Sequence, residues 1–194
     1  MERYRSWKMR IAIDLDGVLA NSMKAWLKIW YEEKGQSIKF EELDDWFFWK
    51  KLNIDEEDFT RILNKAWKKW IEIPPTEDRI GEKIYRLKTL GEVDILTARP
   101  KNTEKYALKW LNYYKVPFNR YVWARDSEAK AKLGYNVYID DSPYMIEALK
   151  DTSKILLLYS QPWNRKVQEN INVMIVKNLD EAYFLLTGIK NILE

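Results

Sequence analysis

The 194-residue chain has no cysteine and no histidine. Without cysteine, disulfides and thiolate chemistry are excluded. Without histidine there is no Ser-His triad, no His-ligated zinc and no imidazole acid–base work. Carboxylates, lysine, tyrosine and an oxygen-ligated metal remain as catalytic means. Long apolar runs are missing too: none approaches the roughly 20 residues that cross a bilayer. The start, Met1 to Lys8, is charged and lacks the apolar core of a secretion signal. A cytoplasmic protein with no membrane partner is expected. The net charge is only +3, and Lys and Arg alternate with Asp and Glu, so no basic block announces a nucleic-acid polymer as partner. No internal repeat or low-complexity segment is visible.

What is present begins with 46% hydrophobic residues. That is enough for one sizeable core, or a core plus a small inserted subdomain. The chain is organised around Arg10 to Ser22. A short apolar, β-branched run, Ile11-Ala12-Ile13, leads into Asp14, Asp16 and Gly17. The run reads as a buried strand over residues 10–14. A buried strand has no use for charge, so Asp14 belongs where the strand leaves the core, at its carboxyl end. In open α/β sheets that edge binds ligands. Two carboxylates this close repel unless a cation lies between them or one keeps a proton.

After Asn21, Ser22 is placed to cap a helix carrying Trp26, Leu27, Trp30 and Tyr31, stopped by Gly35. An aromatic cluster, Trp46-Phe47-Phe48-Trp49, follows. Asn53 to Glu57 starts a helix with Phe59, Ile62, Leu63, Ala66, Trp67 and Trp70 on one face, ended by Pro74-Pro75. Residues 22–73 thus read as a small helical unit. Beyond it helices and strands alternate. Thr76 caps a helix closed by Gly91, and strands follow at 93–96, 121–124, 137–139, 155–159 and 173–176. The final helix runs from Asp180 to about Leu186. Such alternation means an α/β fold: a Rossmann-like parallel sheet flanked by helices. The expected division is a core domain of residues 1–21 and 74–194 and a helical unit of 22–73.

Three strands end in polar signatures: Asp14-Leu15-Asp16-Gly17, Thr97-Ala98-Arg99 and Asp140-Asp141-Ser142. In a parallel sheet these ends share one edge. Several carboxylates without His or Cys suit Mg²⁺, which binds a few of them and keeps waters for a phosphate. A carboxylate beside Mg²⁺ can attack phosphorus to form an aspartyl-phosphate. The Thr97 hydroxyl and the backbone N–H near Ala98 are placed to hold phosphoryl oxygens, and a cationic side chain would neutralise developing charge.

These motifs, together with a lysine in Lys130-Ala131-Lys132, resemble the haloacid dehalogenase-like phosphatase superfamily. The resemblance implies Asp14 as nucleophile, Asp16 as general acid and then base, and Thr97 as phosphate ligand. It also implies Asp14, Asp140 and the carbonyl of Asp16 as metal ligands, with Asp141 bound to the metal directly or through water. Lys130 is favoured as the cation, with Lys132 and Arg125 as alternatives. An acid at Asp16 favours phosphate esters, because a leaving alkoxide needs a proton. The segment 22–73 then looks like the superfamily's helical cap. The Trp46 stretch, Asn53 to Phe59, Leu96 to Arg99, Ile139 to Pro143 and Gln161 to Arg165 resemble the 5′(3′)-deoxyribonucleotidases and cytosolic type C 5′-nucleotidases.

Within the cap, Trp26, Trp30, Trp67 and Trp70 sit at core spacing. Of Phe47, Phe48 and Trp49, at least one should face the cleft, and Phe48 and Trp49 are taken as substrate contacts. Arg99 either touches substrate or pairs with a nearby acid; Asn164 and Arg165 either face the cleft or fix their loop. The expected activity is Mg²⁺-dependent hydrolysis of a nucleoside monophosphate. A sugar phosphatase is the alternative, and a non-enzymatic binding module has no need of Asp16. Whether the chain works alone or as a homodimer stays open.

Overall fold

The computed structural model describes residues 9–193. The charged start, with the expectation placed on it, lies outside the described residues, as does residue 194. The chain enters through β1 (Met9–Ile13) and then runs through α1 (Ser22–Lys34), α2 (Phe48–Lys51) and α3 (Glu56–Lys68). It continues as α4 (Ile80–Lys88), β2 (Gly91–Thr97), α5 (Glu104–Tyr113), β3 (Tyr121–Trp123), α6 (Ser127–Ala131) and β4 (Val137–Asp140). It finishes with α7 (Tyr144–Leu149), β5 (Ile155–Tyr159), β6 (Val173–Val176) and α8 (Leu179–Leu193).

The six strands form one parallel sheet in the order β3-β2-β1-β4-β5-β6. This is the Rossmann-like α/β architecture expected from the alternating pattern. β1 is central, with Ile13 level with Ile95 of β2 on one side and Ile139 of β4 on the other. Strand residues two apart share a face, and the core divides accordingly. Ile11, Ile13, Val93, Ile95, Val137 and Ile139 pack on one face. Ala12, Leu96, Tyr138, Leu156 and Leu158 pack on the other. Both layers are fully buried, which is why the strands read as continuous apolar runs.

Several boundaries differ from the sequence reading for local reasons. β1 ends at Ile13, so Asp14 stands just past the strand, as its charge requires. Asn21, not Ser22, caps α1 by accepting from Lys24 N, and Gly35 closes that helix with a left-handed φ of 66°. Asp55 caps α3. Thr76 caps no helix; its hydroxyl donates to Val18 O and its N–H to Leu19 O. Gly91 opens β2 instead of closing α4. α8 runs through Gly188 to Leu193.

The stretch from α1 to α3 carries no strand. It leaves and returns side by side: Asn21 N–H donates to Pro74 O, and Thr76 N–H to Leu19 O, each at 2.9 Å. Its interior is aromatic. Trp26 stacks on Trp30 at 5.2 Å and meets Phe48 edge-on, while Trp49 stacks on Phe59 at 4.2 Å. Trp26 and Trp67 are wholly buried and Trp30 nearly so, so the periodicity placed them correctly; Trp70 is only half-buried. Large rings give a small helical unit enough apolar burial to hold together. Among the described residues, no helix is long and apolar enough to cross a membrane.

Candidate active site

The strand order reverses between β1 and β4, and ligands in such sheets bind at the carboxyl ends flanking that reversal. Asp14 follows β1 there, its N–H bonded to Ile139 O at 2.9 Å. Asp140 is the last residue of β4, and Asp141 comes next. Carboxylate oxygens of Asp14, Asp140 and Asp141 lie within 4.8 Å of one another. Lys130 reaches them from α6, its Nζ 2.7 Å from Asp140 Oδ2 and 3.0 Å from Asp14 Oδ1. Its side chain is 4% exposed. Of the other two candidate cations, Lys132 is exposed and Arg125 pairs with Asp126 out in solvent.

Three buried carboxylates share one ammonium. Burial pushes the Asp14 carboxyl up to about 7; Lys130 pulls it down, and the charges of Asp140 and Asp16 push it up again. Burial, then Asp14 and Asp140, hold Asp141 well above the ordinary carboxylate range. Burial opposes the charge on Lys130, but Asp14 and Asp140 outweigh it and keep the ammonium above its ordinary range. Asp141 Oδ1 is buried without a hydrogen bond, and Asp14 Oδ1 has only its ion pair to Lys130. Excess buried negative charge, free oxygens and an all-oxygen donor set fit a hard divalent cation.

Asp16 lies apart from this cluster. Its Oδ1 accepts from Trp67 Nε1 at 2.9 Å and its Oδ2 from Arg99 Nε at 2.8 Å. The carboxylate therefore joins no metal cluster; only its main chain is left for the ligand role implied by the resemblance. Arg99 is buried, and its guanidinium packs 4.1 Å above the Trp67 ring. Of the two readings of Arg99, the structure shows the pairing with a nearby acid; Arg99 also lines the cavity. Thr97 is buried at the end of β2, and its Oγ1 accepts from Arg99 N at 3.2 Å, leaving its own O–H as a donor. Ala98 is exposed at the mouth.

The loop after β5 braces the other side, a function the sequence reading left open. Trp163 Nε1 donates to Asp141 Oδ2 at 3.1 Å, and Asn164 Nδ2 to Asp141 O at 2.9 Å. Gln161 Nε2 donates to Gly17 O. Asn164 thus fixes its loop to the site, while Arg165 is exposed. Gly17 has φ 77°, and a Cβ there would lie 1.9 Å from Asp141 Oδ2. Gly17→Ala should therefore lower the stability by about 1–3 kcal/mol from backbone strain alone, measured by urea denaturation, with Asp141 displaced as well.

Above the carboxylates opens a cavity of about 980 Å³ whose apolar wall includes Met23, Leu63, Tyr144 and the four aromatics 46–49. Phe48 and Trp49 line it but are themselves buried, locked edge-on to each other and against Phe59. Trp46 and Phe47 are less buried and meet Tyr144 across the cavity at 6.2 and 5.8 Å. The more accessible pair is therefore 46 and 47, because the first two residues of the cluster precede α2 and escape its packing.

A protein of Oceanobacillus iheyensis provisionally named nucleotidase OB0422 is 23% identical over 168 residues, covering 81% of this chain and 89% of that one. The crystal structure of a predicted phosphatase from Clostridium acetobutylicum superposes with a TM-score of 0.65 at 17% identity, over 94% of this chain and all of that one. The magnesium-bound structure of YfnB from Bacillus subtilis, provisionally a HAD-hydrolase, gives 0.58 at 11% identity, over 92% and 98%. These two likenesses establish the haloacid dehalogenase-like fold. The model of the family described as 5′ nucleotidase, deoxy (pyrimidine), cytosolic type C protein matches residues 8–191. The chain belongs to that nucleotidase family and is a hydrolase of the phosphatase class.

Proposed function

We propose that the chain is a Mg²⁺-dependent 5′-nucleotidase that hydrolyses nucleoside monophosphates through an aspartyl-phosphate on Asp14. The observation that carries this is the meeting of Asp14, Asp140, Asp141 and Lys130 at the floor of an aromatic-walled cavity. Asp14, Asp140, Asp141 and the Asp16 carbonyl would hold the metal. Bound Mg²⁺ would offset phosphate charge and stabilise the transferring phosphoryl group.

The chain's residues supply the rest. A carboxylate oxygen of Asp14 attacks phosphorus, and the phosphorus–ester oxygen bond breaks. Asp16 gives its proton to the departing alkoxide, which leaves as the nucleoside. Water then attacks the aspartyl-phosphate, Asp16 takes one of its protons, and the bond to Asp14 breaks to release phosphate. Thr97 and the neighbouring backbone N–H groups hold the phosphoryl oxygens, while Lys130 keeps Asp14 aligned and favours its ionised form. The helical segment 22–73 serves as a cap, and Trp46, Phe47 and Tyr144 offer ring faces to a base, a contact worth about 1–3 kcal/mol where measured elsewhere. A cytoplasmic location accords with the family's description.

Phosphate release from a panel of nucleoside monophosphates and sugar phosphates, with Mg²⁺ or with EDTA, tests the reading. Nucleotides should turn over at least about tenfold faster than sugar phosphates, as expected for one added stacking contact, and EDTA should remove nearly all activity. Equal rates across the panel would refute the nucleotide assignment; activity indifferent to EDTA would refute the metal.

A further inference from the structure

A buried indole N–H usually finds an acceptor, although those of Trp30 and Trp49 have none here. Trp26 gives its N–H to Phe59 O and Trp110 to Ile73 O, both backbone carbonyls. Trp67 gives its N–H to a side chain, Asp16 Oδ1, although it stands on α3 in the helical segment and Asp16 follows β1 in the core sheet. Arg99 grips the other oxygen from the loop after β2. The two donors support each other, because the guanidinium lies against the indole face and both side chains are excluded from solvent. Arg99 Nη1 is steadied in turn by Thr103 Oγ1.

We infer that Trp67 and Arg99 form a clamp that positions the Asp16 carboxylate for proton transfer, so that the seating of the cap sets the aim of the acid and base. Neither clamp residue is assigned contact with the reacting atoms; both are positioning residues. Each Asp16 oxygen accepts one bond from the clamp and keeps a second position, which can carry the proton given to the leaving oxygen and later accept one from the attacking water. A hydrogen bond tolerates only a few tenths of an ångström. Withdrawal of α3 therefore frees Asp16, whereas its return restores the aim. An inserted unit distant in sequence is thereby tied to the proton-transfer step, beyond any part in recognising substrate.

The inference rests on the reading of Asp16 as acid and base, and the test separates the two. Trp67→Phe keeps most of the ring and removes the N–H. Values of kcat/KM are measured for a nucleoside monophosphate, whose alkoxide needs a proton, and for whichever of p-nitrophenyl phosphate and acetyl phosphate the wild type cleaves faster, since neither leaving group needs one. In Trp67→Phe, kcat/KM for the nucleotide should fall roughly 10- to 100-fold through kcat, and for the activated ester less than about threefold. The ratio does not depend on the fraction of protein folded. Should Trp67→Phe not fold, Arg99→Lys carries the same prediction, with the same split. An equal loss for both esters, or no loss, would overturn the clamp while leaving the function standing. A wild-type protein that cleaves no phosphate ester would overturn the function itself.

Discussion

Asp14→Asn should abolish phosphate release, by about 10⁴-fold or more, and leave the chain folded. The amide matches the carboxylate in shape but has no anionic oxygen to attack phosphorus, and removal of a covalent nucleophile is costly on this scale. Folding should survive because the ionised carboxylate is already disfavoured where it stands. Burial has pushed Asp14 up to about 7, so the desolvation cost and the repulsions with Asp140 and Asp16 that a neutral side chain removes outweigh the ion pair to Lys130 that it gives up. The backbone bond from Asp14 N to Ile139 O is unaffected. The metal-free variant should therefore melt at the wild-type temperature or above it. Mass spectrometry after acid quench gives an independent readout: a phosphoryl adduct on the wild type, none on the variant. Metal-dependent turnover within about tenfold of wild type would assign the nucleophile elsewhere.

The parts of this site that a reader of the sequence can find are those where a polar residue interrupts an apolar run. Asp14, Thr97 and Asp140 each stop a strand, and a parallel sheet brings such stops to one edge. Lys130 is legible for a related reason. It lies one turn into α6, and helical side chains lean toward the amino end, which carries its Nζ back to Asp140 and Asp14. Trp67 differs. Its spacing with Leu63 and Ala66 announces a buried ring, and the ring is buried, but periodicity reports the body of a side chain and not the partner of its one polar atom. Trp163 escapes notice in the same way: nothing near Gln161 shows that its indole N–H ends on Asp141. Arg99 was ambiguous because its partner, Asp16, is 83 positions away. The cap of α1 differs by one residue from the expected one, because two adjacent polar groups, Asn21 and Ser22, compete for the same role.

Lys130→Met should destabilise the metal-free protein by about 3–5 kcal/mol, the usual result of removing one partner from a buried ion pair. The variant leaves Asp14, Asp140 and Asp141 together without the ammonium that contacts Asp14 and Asp140. The loss should depend on pH with a definite sign. Asp14 titrates near 7 in the fold against an ordinary value of 3.8, and Asp141 is also raised. Between those limits the folded state binds more protons than the unfolded chain, so stability falls as pH rises. Lys130 opposes that trend, because it lowers both carboxyls; without it the fall steepens. The ammonium itself is held above its ordinary range and stays charged throughout, so its own titration adds nothing. The difference between variant and wild type should be smaller near about pH 5, where Asp14 keeps its proton, than near about pH 8, where it has lost it. Urea denaturation in EDTA at both pH values measures it. Added Mg²⁺ should stabilise the variant more than the wild type, since a divalent cation restores the missing charge balance. A penalty equal at both pH values and unmoved by Mg²⁺ would mean that Lys130 acts by packing alone, and that the carboxylates it touches are not held together by charge.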